Sequence, residues 1–190
     1  MSRSPVQLRP VSEADAPFLI SLWSNPSARA PEDAMLGMKG AIARVHSSSS
    51  ERIVVAECDG SFAGAIHLAL APLTPISGEM CVRLSHLAVV PEQPGDVVSR
   101  ALVESAVAWA EEECVFHVVA TSSSNNRDAN RFLARLGLGQ VAVIRVATTA
   151  GLRARLPKET ATSLRERSGN RQLDRVLAAR RNLRRQRAAG

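Results

Sequence analysis

Residues 80–102 read MCVRLSHLAVVPEQPGDVVSRAL. A largely apolar run ends at Pro91, and a segment with a different periodicity follows it. Met80–Val90 is long enough for a strand, and Pro91 ends it because proline cannot donate to a ladder. From Asp96 to Glu113, small and apolar residues recur at intervals of three and four, which predicts a helix with one apolar face. A strand that runs through a short loop into a helix therefore lies at the centre of the chain.

The segments before this unit predict a strand, two helices and a hairpin. Val6–Pro10 alternates like a short strand, and Ser12 is a helix N-cap with an acidic residue three positions later. Residues 26–50 predict a second, loosely bounded helix and a loop. The strand-like runs 52–58 and 61–68 flank Asp59-Gly60, and glycine readily takes the positive φ that a tight hairpin turn requires.

The segments after this unit continue to alternate between strands and helices. Phe116–Ala120 predicts a buried strand, and Ala129–Leu136 predicts a short helix that Gly137 ends. Val141–Val146 predicts a further strand. Together the order of elements predicts an α/β fold, in which helices pack on a mixed sheet.

The basic charge of the chain is concentrated at its C-terminus. Residues 1–150 hold 12 Lys+Arg and 15 Asp+Glu, a net charge of −3, whereas residues 151–190 hold 12 and 3, a net charge of +9. We expect one domain over 1–150 and an arginine-rich helical extension over 151–190. Two interpretations of residues 169–190 stay open. They bind nucleic acid nonspecifically through phosphate contacts, or they pack a narrow apolar stripe on the domain and leave the arginines in solvent.

The cysteines argue against a disulfide framework or a cysteine metal site. Cys58, Cys81 and Cys114 are odd in number and lack C-x-x-C spacing. We interpret Cys81 as a small core residue. No segment approaches the ~18 apolar residues of a membrane span, and no signal peptide is recognisable. We therefore expect a cytoplasmic protein with reduced thiols and no bound metal.

Several short segments together resemble the GNAT (GCN5-related N-acetyltransferase) superfamily. The match covers roughly residues 5–147 and rests on Leu8-Arg-Pro10, Val55–Gly60 with Gly64, Leu87–Pro91 before a long helix, and Asn126-Arg-Asp-Ala129 through Phe132 and Gly137. The resemblance implies a GNAT-like mixed-sheet fold and N-acyltransferase activity with acetyl-CoA as the acyl donor. The implied acceptor is an amine of a small molecule or of a protein, and a homodimer stays open.

The resemblance also implies where acetyl-CoA binds. A splayed strand at Leu87–Val89 would hold the pantetheine arm through free backbone groups, and the helix that follows would receive the pyrophosphate at its N-terminus. Asn126 would contact the cofactor, although it equally fits a cap for the next helix. The implied cofactor-binding residues are Leu87, Ala88, Val89, Gly95, Asp96, Val97, Val98, Ser99, Arg100 and Asn126.

Several positions depart from the family pattern. The family loop reads [RQ]-x-x-G-x-[GA], whereas this chain has Pro94, Val97 and Ser99 at those positions. Leu133 stands where many members have a tyrosine that reprotonates the leaving thiolate. Arg83 stands where many have a glutamate base, and arginine cannot act as a base near neutral pH.

Two candidates for the general base remain. His86 has a side chain whose pKa suits the role, and Glu79 is a candidate base that acts through water. Each has a structural alternative: a satisfied, partly buried histidine in an apolar strand, and an exposed turn carboxylate. A second class of function also stays open. In it the chain is a degenerate GNAT-like domain that no longer acetylates and acts as a binding or regulatory module, with its basic tail docked on nucleic acid.

Overall fold

A single mixed sheet organises the chain. The computed structural model describes residues 5–23 and 31–156. The strands are β1 (Gln7–Pro10), β2 (Glu51–Cys58), β3 (Ser61–Pro72), β4 (Met80–Val89) and β5 (His117–Ala120), in the sheet order β1-β2-β3-β4-β5. The helices are α1 (Ala16–Trp23, after a 3-10 turn at Glu13–Asp15), α2 (Pro31–Ser47), α3 (Gly95–Glu112), α4 (Arg127–Arg135) and α5 (Thr149–Arg155). Neighbouring strands from β1 to β4 are antiparallel, and β5 is parallel to β4, which confirms the predicted mixed sheet.

Helices cover both faces of this sheet. On one face Leu68 and Leu84 pack with Trp109 of α3, and all three side chains are buried. On the other face Val55 packs with Leu19 of α1, in a core that α2 also joins. The alternation of side chains along each strand supplies both cores, because successive residues point to opposite faces.

The predicted hairpin between β2 and β3 is confirmed. Its turn is Asp59-Gly60, with φ of +51° and +72°, and the flanking pair is Cys58 opposite Ser61. A two-residue turn with positive φ at both central residues matches the twist of the flanking strands. Both strands are longer than predicted, because β2 begins at Glu51 and β3 ends at Pro72.

Gly64 lies where β3 packs tightly against β4 and α3. A Cβ atom there would come 2.7 Å from the carbonyl oxygen of Ala88 and 3.1 Å from Cγ1 of Val98. We expect Gly64→Ala to lower the free energy of unfolding by about 1–3 kcal/mol, since backbone atoms must move. Chemical denaturation measures this change. Gly78→Ala is the control, because a Cβ there meets nothing within 4 Å; equal losses in the two variants would contradict the close approach.

The strand predicted at Val141–Val146 is wrong. Residues 140–148 contain no helix or strand, and the side chains of Val141, Ile144 and Val146 are exposed. β-Branched residues favour a strand when a neighbouring strand supplies a ladder, and no partner strand pairs with this segment within the described part of the chain.

The chain divides into two compact units, Met1–Gly139 and Gln140–Gly190. The predicted division at residue 150 stays a prediction. Most of the basic extension, including residues 169–190, lies outside the described residues, so its predicted helix and its role stay predictions as well.

The cysteines are all free. Cys81 is fully buried, which confirms its interpretation as a core residue, whereas Cys114 is exposed. Across residues 5–23 and 31–156, no group of three His, Cys, Asp or Glu side chains could hold a metal ion. None of the helices in those ranges combines the length and hydropathy needed to cross a bilayer.

Candidate active site

The fourth strand contains a β-bulge next to the region that the resemblance singles out. Ala65 of β3 lies opposite Ala88 of β4, but His67 lies opposite Ser85. Two steps along β3 therefore match three along β4, which is the signature of one extra residue in β4. His86 lies within this interval, with φ of +55°. A non-glycine residue in the left-handed region is uncommon and is found at functional sites more often than elsewhere.

Strands β4 and β5 separate beyond Leu84. Their parallel register runs from Cys81 opposite His117 to Leu84 opposite Ala120, and the N–H of Thr121 donates to the Leu84 oxygen at 3.0 Å. Leu87–Val89 thus lies beyond the described ladder with β5. In the described part of the chain no strand pairs with that side of Leu87–Val89. Unpaired backbone groups suit an extended ligand that binds as an added strand would, and the resemblance predicts such a splay.

The N-terminus of α3 fits an anionic group. The N–H groups of Val97 and Val98 both donate to the carbonyl oxygen of Pro94, at 3.0 and 3.2 Å. Gly95 and Asp96 precede them, and helix geometry gives their N–H groups no intrahelical acceptor. A Cβ added at Gly95 would meet nothing within 4 Å. The open space and free N–H groups are what a pyrophosphate needs at a helix N-terminus.

Asp96 opposes this fit through its charge. Its Oδ1 lies 3.2 Å from a guanidinium nitrogen of Arg135 on α4, and both side chains are exposed. The ion pair therefore stabilises the fold little, but it brings an arginine beside the start of α3. Val98 is fully buried in the core, Ser99 is half-buried and Arg100 is exposed.

Removing the side chains of Asp96 and Val97 should improve the site. We expect Asp96→Gly with Val97→Gly to tighten acetyl-CoA binding by about 10-fold, because a carboxylate leaves the phosphate site and Arg135 is freed. Calorimetric titration measures the affinity. The matched control is Asp33→Gly with Ala34→Gly, in the first turn of α2, which should leave affinity unchanged. Unchanged or weaker binding in the folded Asp96/Val97 variant would contradict the alignment of this loop.

Asn126 caps α4. Its Oδ1 accepts a hydrogen bond from the N–H of Ala129 at 3.0 Å, so the capping alternative is observed. A contact with the cofactor stays a prediction. Leu133, where many family members have tyrosine, is 7% exposed and packs in the core beside Phe132; this position therefore supplies no proton donor.

His86 lies beside α1 and β3, and the residue as a whole is exposed to solvent although its ring is partly covered by these neighbours. Its ring centroid is 5.3 Å from that of Trp23 and 6.5 Å from that of His67. Burial against these neighbours, and secondly the charge of His67, lower the pKa of His86 below its ordinary value of 6.5. His86 is therefore neutral near pH 7 and able to accept a proton.

Glu79 lies at the opposite end of β4 from His86. It belongs to the turn that precedes β4, where its N–H donates to Ser77 Oγ at 3.0 Å and its carbonyl oxygen accepts from Leu73 N–H at 2.8 Å. At ~3.3 Å per residue, the intervening strand separates the two side chains by roughly 20 Å. The structure does not bring the two predicted base candidates together, and of the two it is His86 that adjoins the splayed part of β4.

Sequence reasoning missed Ser85, His67 and Glu51, which are connected to His86 through a series of polar contacts. Ser85 Oγ lies 3.3 Å from Nδ1 of His86 and 3.1 Å from Nδ1 of His67, whose Nε2 lies 3.5 Å from Oε2 of Glu51. A signal was available, because the hairpin places His67 opposite Ile53, a core residue of β2. A polar side chain at such an inward position is informative.

Solved structures share this fold over most of the chain. A transcriptional regulator from Bacillus halodurans is 17% identical, with 76% of this chain and 100% of that chain covered and a TM-score of 0.66. An aminoglycoside N-acetyltransferase in complex with CoA is 15% identical, with coverage of 78% and 97% and a TM-score of 0.63. Glucosamine-6-phosphate N-acetyltransferase from Arabidopsis thaliana is 12% identical, with coverage of 76% and 99% and a TM-score of 0.60. Identities this low show the fold alone.

The family follows from a sequence comparison. A search of the curated proteins finds no significant match. The family model described as acetyltransferase (GNAT) family matches residues 13–138, which span α1 to the end of α4 and so include the splayed strand and the start of α3. The chain belongs to the GNAT family of acetyltransferases, and is thus an acyltransferase whose acyl donor is acetyl-CoA.

Proposed function

We propose that this acyltransferase acetylates a primary amine, with His86 as the general base. The observation that carries the proposal is the position of His86 in the bulge of β4, directly before the Leu87–Val89 backbone. A ring held there is neutral near pH 7 because burial lowers its pKa. Leu87, Ala88 and Val89 would hold the pantetheine arm, and the start of α3 the pyrophosphate.

The proposed reaction is a direct transfer. When bound, acetyl-CoA supplies the thioester carbonyl that the acceptor nitrogen attacks. The backbone N–H near Leu87 polarises that carbonyl oxygen. His86 takes a proton from the acceptor nitrogen as the nitrogen–carbon bond forms and the carbon–sulfur bond breaks. Because Leu133 replaces the usual tyrosine, the thiolate takes its proton from solvent.

The acceptor class can be found with a panel of amines. The full chain is incubated with acetyl-CoA and an aminoglycoside, an amino sugar phosphate or a peptide with a free N-terminus, and mass spectrometry follows the acetylated product. The first two classes correspond to the substrates named for two of the structural neighbours, and the peptide represents a protein acceptor. Product from one class above the non-enzymatic rate supports the proposal. Binding of acetyl-CoA without any acetylated product would favour the degenerate binding module instead.

The basic C-terminal extension carries a separate proposal. The net charge of +9 over residues 151–190 supports nonspecific binding of nucleic acid by residues 169–190, with an affinity that falls steeply as salt rises. A homodimer and a cytoplasmic location also stay predictions.

A further inference from the structure

Polar side chains from three neighbouring strands meet on the face of the sheet that α1 and α2 cover. Ile53 of β2 belongs to the core on that face, and Glu51 is two residues before it, so its side chain points the same way. His67 of β3 lies opposite Ile53 and also opposite Ser85 of β4. His67 and Ser85 therefore lie directly opposite each other, and Glu51, which pairs with Ala69, lies diagonally from His67 on the same face. His86 follows Ser85 in the bulge.

The distances join Glu51, His67, Ser85 and His86 into a chain of polar contacts. Oε2 of Glu51 is 3.5 Å from Nε2 of His67, Nδ1 of His67 is 3.1 Å from Oγ of Ser85, and that Oγ is 3.3 Å from Nδ1 of His86. Oε2 of Glu51 is buried and has no hydrogen-bond partner in the described part of the chain. It lies at ion-pair distance, 3.5 Å, from His67 and from Nε of Arg44 on α2.

The chemistry of these groups allows one arrangement of protons that suits every member. An ionised carboxylate can only accept, so Nε2 of His67 carries the hydrogen that faces Glu51. In its neutral form, His67 would then accept at Nδ1, and the Ser85 hydroxyl would donate to it. The lone pairs of Ser85 Oγ accept from Nδ1–H of His86, because the tautomer of a histidine is set by the hydrogen bond that one of its nitrogens makes. Nε2 of His86 is left as a bare acceptor.

We propose that Glu51, His67 and Ser85 are positioning residues that hold His86 in the Nδ1–H tautomer, with Nε2 free to take the proton of the acceptor amine. The inference rests on the proposed role of His86. The Glu51 carboxylate sets the direction of the whole chain. Trp23 of α1 also contacts the His86 ring, with 5.3 Å between the ring centroids. The charged or titratable groups that face His86, directly or through this chain, are His67, Glu51 and Arg44.

The tautomer can be measured without any acceptor amine. Long-range proton–nitrogen correlation spectra of the ¹⁵N-labelled full chain, recorded at about pH 8.5 where histidines are neutral, distinguish a protonated ring nitrogen from a bare one. His86→Asn assigns the signals. We expect His86 to be protonated at Nδ1 in the unaltered chain, and Ser85→Ala to move the proton to Nε2. Ser85→Thr keeps the hydroxyl and should retain the original tautomer.

Two further variants separate the carboxylate from its ion pair. In Glu51→Gln the amide can donate to Nε2 of His67, which reverses the chain and places the proton of His86 on Nε2. Arg44→Gln removes the ion pair but leaves the carboxylate, so the tautomer should not change. Ser105→Ala removes a part-buried hydroxyl that bonds the Leu102 carbonyl and is the matched control. Circular dichroism checks that each variant is folded.

The outcomes distinguish this inference from the proposed function. His86 protonated at Nε2 in the unaltered chain would overturn the inference, as would a tautomer unchanged in both Ser85→Ala and Glu51→Gln. Loss of turnover in His86→Asn together with either result would leave the base assignment standing. With an acceptor in hand, Ser85→Ala should lower kcat by about 10-fold, less than loss of the base itself, with an unchanged KM for acetyl-CoA and recovery in Ser85→Thr.

Discussion

Replacing His86 by Asn is expected to lower kcat for acetyl transfer by roughly 10²–10⁴-fold, the usual contribution of a general base. Acetyl-CoA affinity should stay within about 2-fold, because the cofactor contacts proposed for β4 come from backbone groups. Asn is the suitable replacement, since it tolerates the left-handed region in which His86 lies, at φ of +55°. The measurement is steady-state kinetics with the acceptor that the amine panel identifies, combined with calorimetric titration of acetyl-CoA.

His117→Asn is the matched control, because His117 is exposed at the start of β5, opposite Cys81 at the far end of β4. Its kcat should equal that of the unaltered chain.

The pH profile of kcat gives a second test of the same assignment. A base must be neutral, and burial lowers the pKa of His86 below its ordinary value of 6.5. The decrease of kcat in acid should therefore have its midpoint below pH 6.5, and it should be absent in His86→Asn. An unchanged acid limb in that variant would contradict the assignment.

Replacing Asp15 by Asn is expected to lower the free energy of unfolding by about 2–3 kcal/mol. Asp15 is 3% exposed, and its two carboxylate oxygens accept from Arg9 at 2.7 and 2.8 Å. One of them also accepts from the N–H and the Oγ of Ser12, at 2.7 and 2.9 Å. Breaking a buried, hydrogen-bonded pair is costly because one partner is left uncompensated. The expected loss is at or below the lower end of the ~3–5 kcal/mol that is typical of a broken buried ion pair. Solvent reaches the Arg9 side chain, which also contacts Glu57.

Denaturation at several pH values checks this result. The hydrogen bonds from Arg9 hold the pKa of Asp15 below its ordinary value of 3.8, in spite of its burial. Its contribution to stability is therefore fully present above that value and is lost as the pH falls through the lower pKa of the folded state. The difference between the Asp15→Asn variant and the unaltered chain should shrink in acid. Asp33→Asn, at an exposed position in the first turn of α2, should cost little at any pH; a comparable loss there would contradict the account.

Local signals in the sequence predicted most of the fold. Asp59-Gly60 requires positive φ at both positions, and the structure has it. Ser12 and Asp15 form the predicted start of the first helix. By contrast, the strand predicted at Val141–Val146 depended on a pairing partner, which a local pattern cannot supply. Alternation and β-branching describe a side-chain pattern, whereas a ladder is a property of two segments.

The candidate site was predictable in part, for a similar reason. The motif around Leu87 predicted the strand that is proposed to hold acetyl-CoA, and His86 was singled out for its titration range. The bulge was not predictable, because one extra residue in β4 is defined by its register with β3. The bulge and that register together put Ser85 between His67 and His86. No spacing along the chain connects Glu51, His67 and Ser85, which come from three strands.

Calorimetric titration of the full chain with acetyl-CoA tests the central claim most directly. The claim is that the splayed part of β4 and the start of α3 form a working acyl-CoA site, although Pro94, Val97 and Ser99 depart from the family loop. We expect saturable binding of one acetyl-CoA per chain, with a dissociation constant in the range of about 10 μM to 1 mM. No saturable heat up to about 10 mM acetyl-CoA, from protein shown to be folded by circular dichroism, would contradict it.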